Sequence, residues 1–208
     1  MTLQAQPTPD VRALLAATAN VYRLDEWVTL RVSLSTEVDG LPLSGHHEIT
    51  LVLRGAHGAS LTSNRTTIDY DGRTVWHRKE KAKTEQRWDA ASQASDSPLP
   101  FLRGQCHRYH GRFAELDQAR LLSEKVQFKR LRLQDSVHDC AVVRIHGTEP
   151  GSGRTGVEEL WIDRGTHRVV RSNMTRRLGS GTGFLTTITT WTAVETTATP
   201  AEVPRYKP

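Results

Sequence analysis

The sequence predicts an α+β chain that is mostly β, built on one long antiparallel sheet of about ten strands. Three observations point there. Short apolar–polar alternations recur from Trp27 almost to the end of the 208 residues. Only two stretches carry an apolar stripe at helical spacing. The segments between the alternations are rich in Gly, with Asp and Pro at turn positions. Two helices with narrow stripes are too few to cover the apolar face of so long a sheet, and a partly covered face is a cradle for an apolar ligand.

The first helix opens with Thr8 as a candidate cap, Pro9 at its first position and Asp10 at its positive end. Val11, Leu14, Leu15, Thr18 and Tyr22 then mark one stripe. From Trp27 the pattern changes to period two. Val28, Leu30, Val32, Leu34, Thr36 and Val38 share one face, and Trp27, Thr29, Arg31, Ser33, Ser35 and Glu37 the other. His47, Ile49, Leu51 and Leu53 repeat the pattern after the turn residues Asp39-Gly40-Leu41-Pro42. The two segments are expected to pair with Leu30, Val32, Leu34, Ile49, Leu51 and Leu53 all facing the helices. A second hairpin is signalled by Thr67 to Trp76, with Asp71-Gly72 suited to a type I′ turn. Asp89 to Ser97 reads as an exposed polar connector. A second helical region follows from about Pro98 to Leu122, striped by Leu102, Cys106, Tyr109, Phe113 and Leu116. Gly104 and Gly111 predict a break there, each costing about 1 kcal/mol in a helix interior. The later strands are Val126–Leu133, Val137–His146, Val157–Asp163, His167–Arg176 and Phe184–Val194.

Length and pattern together predict one domain over residues 1–208, with a flexible leader (1–7) and an extended tail (200–208). No stretch approaches the roughly 20 apolar residues that span a bilayer. The net charge of +5, from 28 Lys and Arg against 23 Asp and Glu, leans toward anionic partners without forming a dedicated basic arm. Met1 to Ala5, followed by Gln6-Pro7-Thr8-Pro9, reads either as the end of a cleaved secretory signal or as an ordinary leader.

Five places carry a resemblance to a known family. They are the opening helix running through Tyr22-Arg23-Leu24 into the first strand, the Asp71-Gly72-Arg73-Thr74-Val75-Trp76 hairpin, and Val137 to Val143. The other two are Glu159-Leu160-Trp161-Ile162-Asp163-Arg164-Gly165 with its return strand to Arg171, and Trp191-Thr192-Ala193-Val194 leading to Pro200 through Pro208. In these the chain resembles the periplasmic lipoprotein-carrier superfamily of the LolA/LolB type. The resemblance implies a curved antiparallel sheet, open as a half-barrel and wrapped around two or three helices. It implies a non-enzymatic protein of the bacterial envelope, expected to be a monomer, holding a lipid or lipoprotein acyl chain between sheet and helices. Leu30, Val32, Leu34, Ile49, Leu51 and Leu53 would line that hollow, with Leu102 and Phe113 on a lid, and Arg168 and Arg171 would meet a headgroup or a partner. Two alternatives keep other classes open: a regulatory or scaffolding module of the same fold that binds an envelope protein, and a nucleic-acid binder using basic hairpins.

The remaining candidates are weaker. Cys106 and Cys140, the only cysteines, form a disulfide if the chain is exported, or stay separate buried thiols. Cys106-His107 with His110, and His138-Asp139-Cys140, do not match a zinc spacing, so no metal or other cofactor is expected. Alternation sends His47 away from His46 and Glu48, and Glu158 away from Glu159, which removes both as paired catalytic groups. Gly179-Ser180-Gly181-Thr182-Gly183 lacks the Lys and helix of a phosphate loop. The Arg-bearing strand from Arg168 to Arg177 has no interleaved exposed aromatics as a nucleic-acid surface requires, and Glu80 and Glu85 dilute the basic residues from Arg73 to Arg87, so nucleic acid is disfavoured.

Overall fold

The computed structural model describes residues 10–25, 27–43, 45–55, 58–64, 66–79, 85–92, 94–148, 153–178 and 183–196. The expected leader, the Thr8 cap, the tail, and Lys81 and Lys83 of the first basic hairpin lie outside them.

Helix α1 (Val11–Leu24) buries Val11, Leu14, Leu15, Thr18, Ala19 and Tyr22, the stripe read from the sequence plus Ala19. Asp10 is its cap: the carboxylate accepts from the Arg12 backbone N–H at 2.8 Å. One antiparallel sheet follows. Its strands are β1 (Trp27–Val38), β2 (Leu41–Pro42), β3 (His47–Arg54), β4 (Ala59–Ser63), β5 (Thr66–Tyr70), β6 (Thr74–Lys79), β7 (Glu85–Asp89), β8 (Gln127–Leu133), β9 (Ser136–Thr148), β10 (Thr155–Asp163), β11 (Val169–Arg177) and β12 (Phe184–Thr196). In space they run β7-β6-β5-β4-β3-β1-β12-β11-β10-β9-β8, with β2 against the end of β1. The sheet does not close, because β7 and β8 are its two edges.

That order explains the helices. Every neighbouring pair except β1 with β12 is a hairpin, so a single connection, from β7 to β8, must cross from one edge to the other. It crosses as helix α2 (Leu99–Tyr109) and a 3₁₀ helix (Gly111–Gln118), which lie with α1 on one face. The break falls at His110, whose φ of −141° and ψ of −63° leave the helical region just before Gly111. Gly104 continues the helix.

The face under the helices is the one the alternation predicts. Leu30 faces Leu51, Val32 faces Ile49 and Val28 faces Leu53 across β1 and β3, and Leu34 shares their side. Leu61, Ile68, Val75, Val143, Leu160, Ile162, Val169 and Trp191 extend this core in both directions. Two bulges, at Arg31/Val32 opposite β12 and at Trp161/Ile162 opposite β11, bend the sheet around its cover.

Two turns differ from expectation. Asp71 keeps negative φ and accepts from the N–H groups of Arg73 and Thr74, making a wider Asx-type loop instead of a type I′ turn. The two-residue turn with positive φ at both positions is Asp39 (51°) with Gly40 (81°), between Val38 and Leu41. Within the connector expected to be irregular, Ala90–Ser92 forms a 3₁₀ turn.

Candidate binding groove

The hollow expected above the central strands is filled by side chains. Leu30 and Leu51 are 0% exposed, and Val32, Leu102 and Phe113 are 1% exposed. Leu34, Ile49 and Leu53 are partly buried and pack against the same core. An aromatic nexus seals the middle. Phe113 lies 5.1 Å from Tyr22 and 5.3 Å from Trp191 between ring centroids, and Trp191 donates its indole N–H to the Tyr109 carbonyl at 3.1 Å.

Space accessible to a ligand lies to one side of this seal, over the end of β9 and the start of β10. There α2 and the 3₁₀ helix roof a groove of about 760 Å³, within the usual size of a small-molecule site. Phe113, Leu116 and Ile145 lie buried beneath it at 1–5% exposure with the half-buried Ala119, and Pro100 and the exposed Phe101 form its rim. His107, Arg108, Arg112, Glu115, His146 and Glu158 supply its charged and titratable groups. Gly104 also lines it, and a Cβ built there meets nothing within 4 Å. Of the eight expected ligand contacts, only Phe113 borders this space.

Glu158 is the one carboxylate buried in the wall, at 2% exposure. It accepts from Arg112 of the 3₁₀ helix at 2.8 Å and from the Ser172 hydroxyl. Alternation places it on the same face as Leu160 and Ile162, while Glu159 points outward to the Trp161 indole N–H at 3.0 Å. A charged residue at core parity was the sequence signal for this site. Arg108 and Arg112 carried no comparable signal, since a mostly polar helix shows many arginines.

The roof is pinned at its 3₁₀ end. Arg12 of α1 donates to the Ala119 carbonyl at 2.9 Å, and Arg23 pairs with Asp117 at 2.7 Å. At the junction His110 sits 3.0 Å from Asp25, whose two oxygens also take both terminal nitrogens of Arg168 at 2.7 Å. Burial pushes the Asp25 carboxyl up, but the bonds from Arg168 and His110 outweigh it and hold its pKa at about 2. Arg168 is thus committed to an internal pair and is not placed on the groove. Arg171 lies on the outer face, bonded to Asn173 at 2.9 Å and 5.5 Å from the Trp161 ring centroid. The two arginines are not brought together as a headgroup site.

The disulfide is corrected in favour of the alternative: both cysteines are free thiols. Cys106 packs toward the core under α2, whereas β9 turns Ala141, Val143 and Ile145 to the core and Cys140 outward. The sheet lies between the two sulfurs. Burial pushes each thiol pKa up to about 11, with Asp163 and Asp139 adding to the rise at Cys140. Among the described residues no group of three His, Cys, Asp or Glu side chains could hold a metal ion. No described helix is long and apolar enough to cross a membrane.

No family model and no curated protein matches the sequence. Among solved structures the chain is similar to LprF from Mycobacterium bovis, with a TM-score of 0.51 at 13% identity over 91% of this chain and 96% of that one. It is also similar to the lipoprotein LppX of Mycobacterium tuberculosis, with a TM-score of 0.44 at 13% identity over 88% of this chain and 96% of that one. A LolA superfamily protein from Nitrosomonas europaea gives 0.33 at 10% identity over 92% and 96%. At such identities the likeness is one of architecture: the open, helix-covered antiparallel sheet of this chain is similar in fold to that of LprF.

Proposed function

We propose that this chain, as one half-barrel domain, is a non-enzymatic binding protein of the bacterial envelope that holds a lipid or lipoprotein acyl chain on the helix-bearing side of its sheet. The observation that carries this reading is the groove of about 760 Å³ rimmed by Pro100 and the exposed Phe101, with Phe113, Leu116 and Ile145 buried beneath it. Each methylene taken out of water there contributes about 0.8 kcal/mol, so a long chain gains useful affinity without any catalytic group. Leu30, Val32, Leu51 and Leu102 are sealed at 0–1% exposure, so an acyl chain meets the groove first. It reaches them, and the partly buried Leu34, Ile49 and Leu53, only if α2 lifts. The roof is held unevenly: its 3₁₀ end is pinned by ion pairs to α1 and β10, while α2 rests on the buried side chains of Leu99, Leu102 and Tyr109 and is tied at its C-terminal end by the Trp191 indole. The envelope placement rests on the residue resemblance set out above.

The sealed centre also favours a second reading, a regulatory or scaffolding module that binds a protein partner instead of a lipid. Native mass spectrometry of the protein purified from its own host, followed by organic extraction, separates the two. A co-purifying lipid, absent from a Gly104→Trp variant whose new side chain enters the groove, is the expected result. A wild-type protein that comes away free of lipid would give the partner-binding reading the place of the carrier.

A further inference from the structure

The groove changes chemistry along its length. Its apolar surface is at Phe101, with Leu116 and Ile145 buried behind it, and it adjoins a more enclosed recess of about 20 Å³ formed with Ser172, Met174, Thr187 and Thr189 of β11 and β12. Groove and recess share four residues, Arg108, Arg112, Thr148 and Glu158. Two guanidinium groups therefore meet one carboxylate there. Glu158 is matched by Arg112, whose Nε is in turn tied to the Arg108 carbonyl at 2.7 Å. The Arg108 guanidinium has no carboxylate at ion-pair distance among the described residues. Its recorded contact is the Tyr109 ring, 5.4 Å from the centroid. The local balance is one net positive charge beside four neutral side chains, three of them hydroxyl-bearing.

We propose that the groove takes its ligand polar end first, as a single-chain amphiphile with a terminal carboxylate that sits against Arg108 at the mouth of the recess while its chain lies over Phe101, Leu116 and Ile145. This rests on the carrier reading above and adds an orientation and a headgroup to it. Charge selects an anion, because a cationic headgroup would add to two guanidiniums. Size limits what enters: a recess of about 20 Å³ admits one group of roughly water size, so one headgroup oxygen enters while the rest stays at the mouth, where the planar carboxylate is the smaller group to seat beside Arg108. The hydroxyls of Thr187 and Thr189 border the recess beside Ser172, whose own hydroxyl is given to Glu158, and a polar headgroup suits that lining better than an alkyl terminus.

The test uses the full chain and measures by calorimetry the affinities of dodecanoate, methyl dodecanoate and dodecyl phosphate. The wild type is expected to bind dodecanoate at least about tenfold tighter than the methyl ester, a difference of about 1.4 kcal/mol. Arg108→Gln should bring the two to equal affinity without weakening the ester, and Arg108→Lys should restore part of the preference. The Arg108 side chain is half-buried on the roof, and circular dichroism checks that the variants are folded. Equal binding of acid and ester by the wild type overturns the proposal, as does a preference that survives in Arg108→Gln. Dodecyl phosphate binding tighter than dodecanoate overturns the assignment of a carboxylate. Binding of none of the three overturns the carrier reading itself.

Discussion

Asp25 joins three parts of the molecule. It ends α1, receives the imidazole at which α2 breaks, and takes both terminal nitrogens of Arg168 in the turn before β11. With side-chain exposures of 7% for Asp25 and 16% for Arg168, removing one partner leaves the other's charge buried and uncompensated. Asp25→Asn is therefore expected to destabilise the fold by about 3 kcal/mol in urea unfolding. The same carboxyl sets an acid limit. Its folded pKa of about 2 lies below the ordinary 3.8, so its stabilisation is fully present above about pH 4 and is lost as pH falls toward 2. That contribution is on the order of 2 kcal/mol. Unfolding free energies measured from pH 5 to pH 2 should fall more steeply in the wild type than in Asp25→Asn. Sequence reading passed over this residue. Asp25 follows a helix and Arg168 follows Gly165, and no spacing links residues so far apart. Glu158 carried a legible signal, a carboxylate in a run of alternation that Leu160 and Ile162 continue, but in the sequence that alternation only removes it as a catalytic partner of Glu159.

At the scale of elements, two glycines of the groove region should respond oppositely to the same change. Gly104 lies inside α2 with open space where a Cβ would go, so Gly104→Ala is expected to raise stability by about 0.5–1 kcal/mol through helix propensity. Gly147 of β9 faces Gly156 across the ladder, and a Cβ there would fall 2.7 Å from the Met174 sulfur and 2.8 Å from Glu158 Cβ. Gly147→Ala is expected to lower stability by about 1–3 kcal/mol. Thermal unfolding of the two single variants against the wild type checks both signs. The elements that were legible in the sequence are those with long, uninterrupted periods: α1, β1 and β3, whose facing residues could be paired before any coordinates. The strand β7, Glu-Gln-Arg-Trp-Asp, has no alternation because an edge strand buries little on either face. The Asp-Gly dipeptide at 71–72 misled for a different reason. Its carboxylate captured the neighbouring N–H groups, a side-chain bond that competes with the two-residue turn.

For the whole molecule, the order of strands sets where stability is concentrated. β1 and β12 are flanked on both sides and carry the fully buried Leu30 and Val32 and the nearly buried Trp191, whereas β7 and β8 pair on one side only. Amide hydrogen exchange followed by mass spectrometry should show peptides of β1 and β12 as the slowest and those of β7 and β8 as the fastest. Uniform protection across the sheet would count against this arrangement. The groove itself could not be read from the sequence for a topological reason. Its roof belongs to the one connection that crosses the sheet, and which strand ends that connection overhangs depends on the pairing of β1 with β12, a contact between opposite ends of the chain. That seam also has a consequence in time. Val28 emerges from the ribosome long before Thr196, yet they face each other in the finished sheet. The two meanders on either side cannot join until β12 has been made, so the nascent sheet stays open and slow to commit while β3 to β11 are synthesised. Such a chain remains threadable for as long as that seam is open.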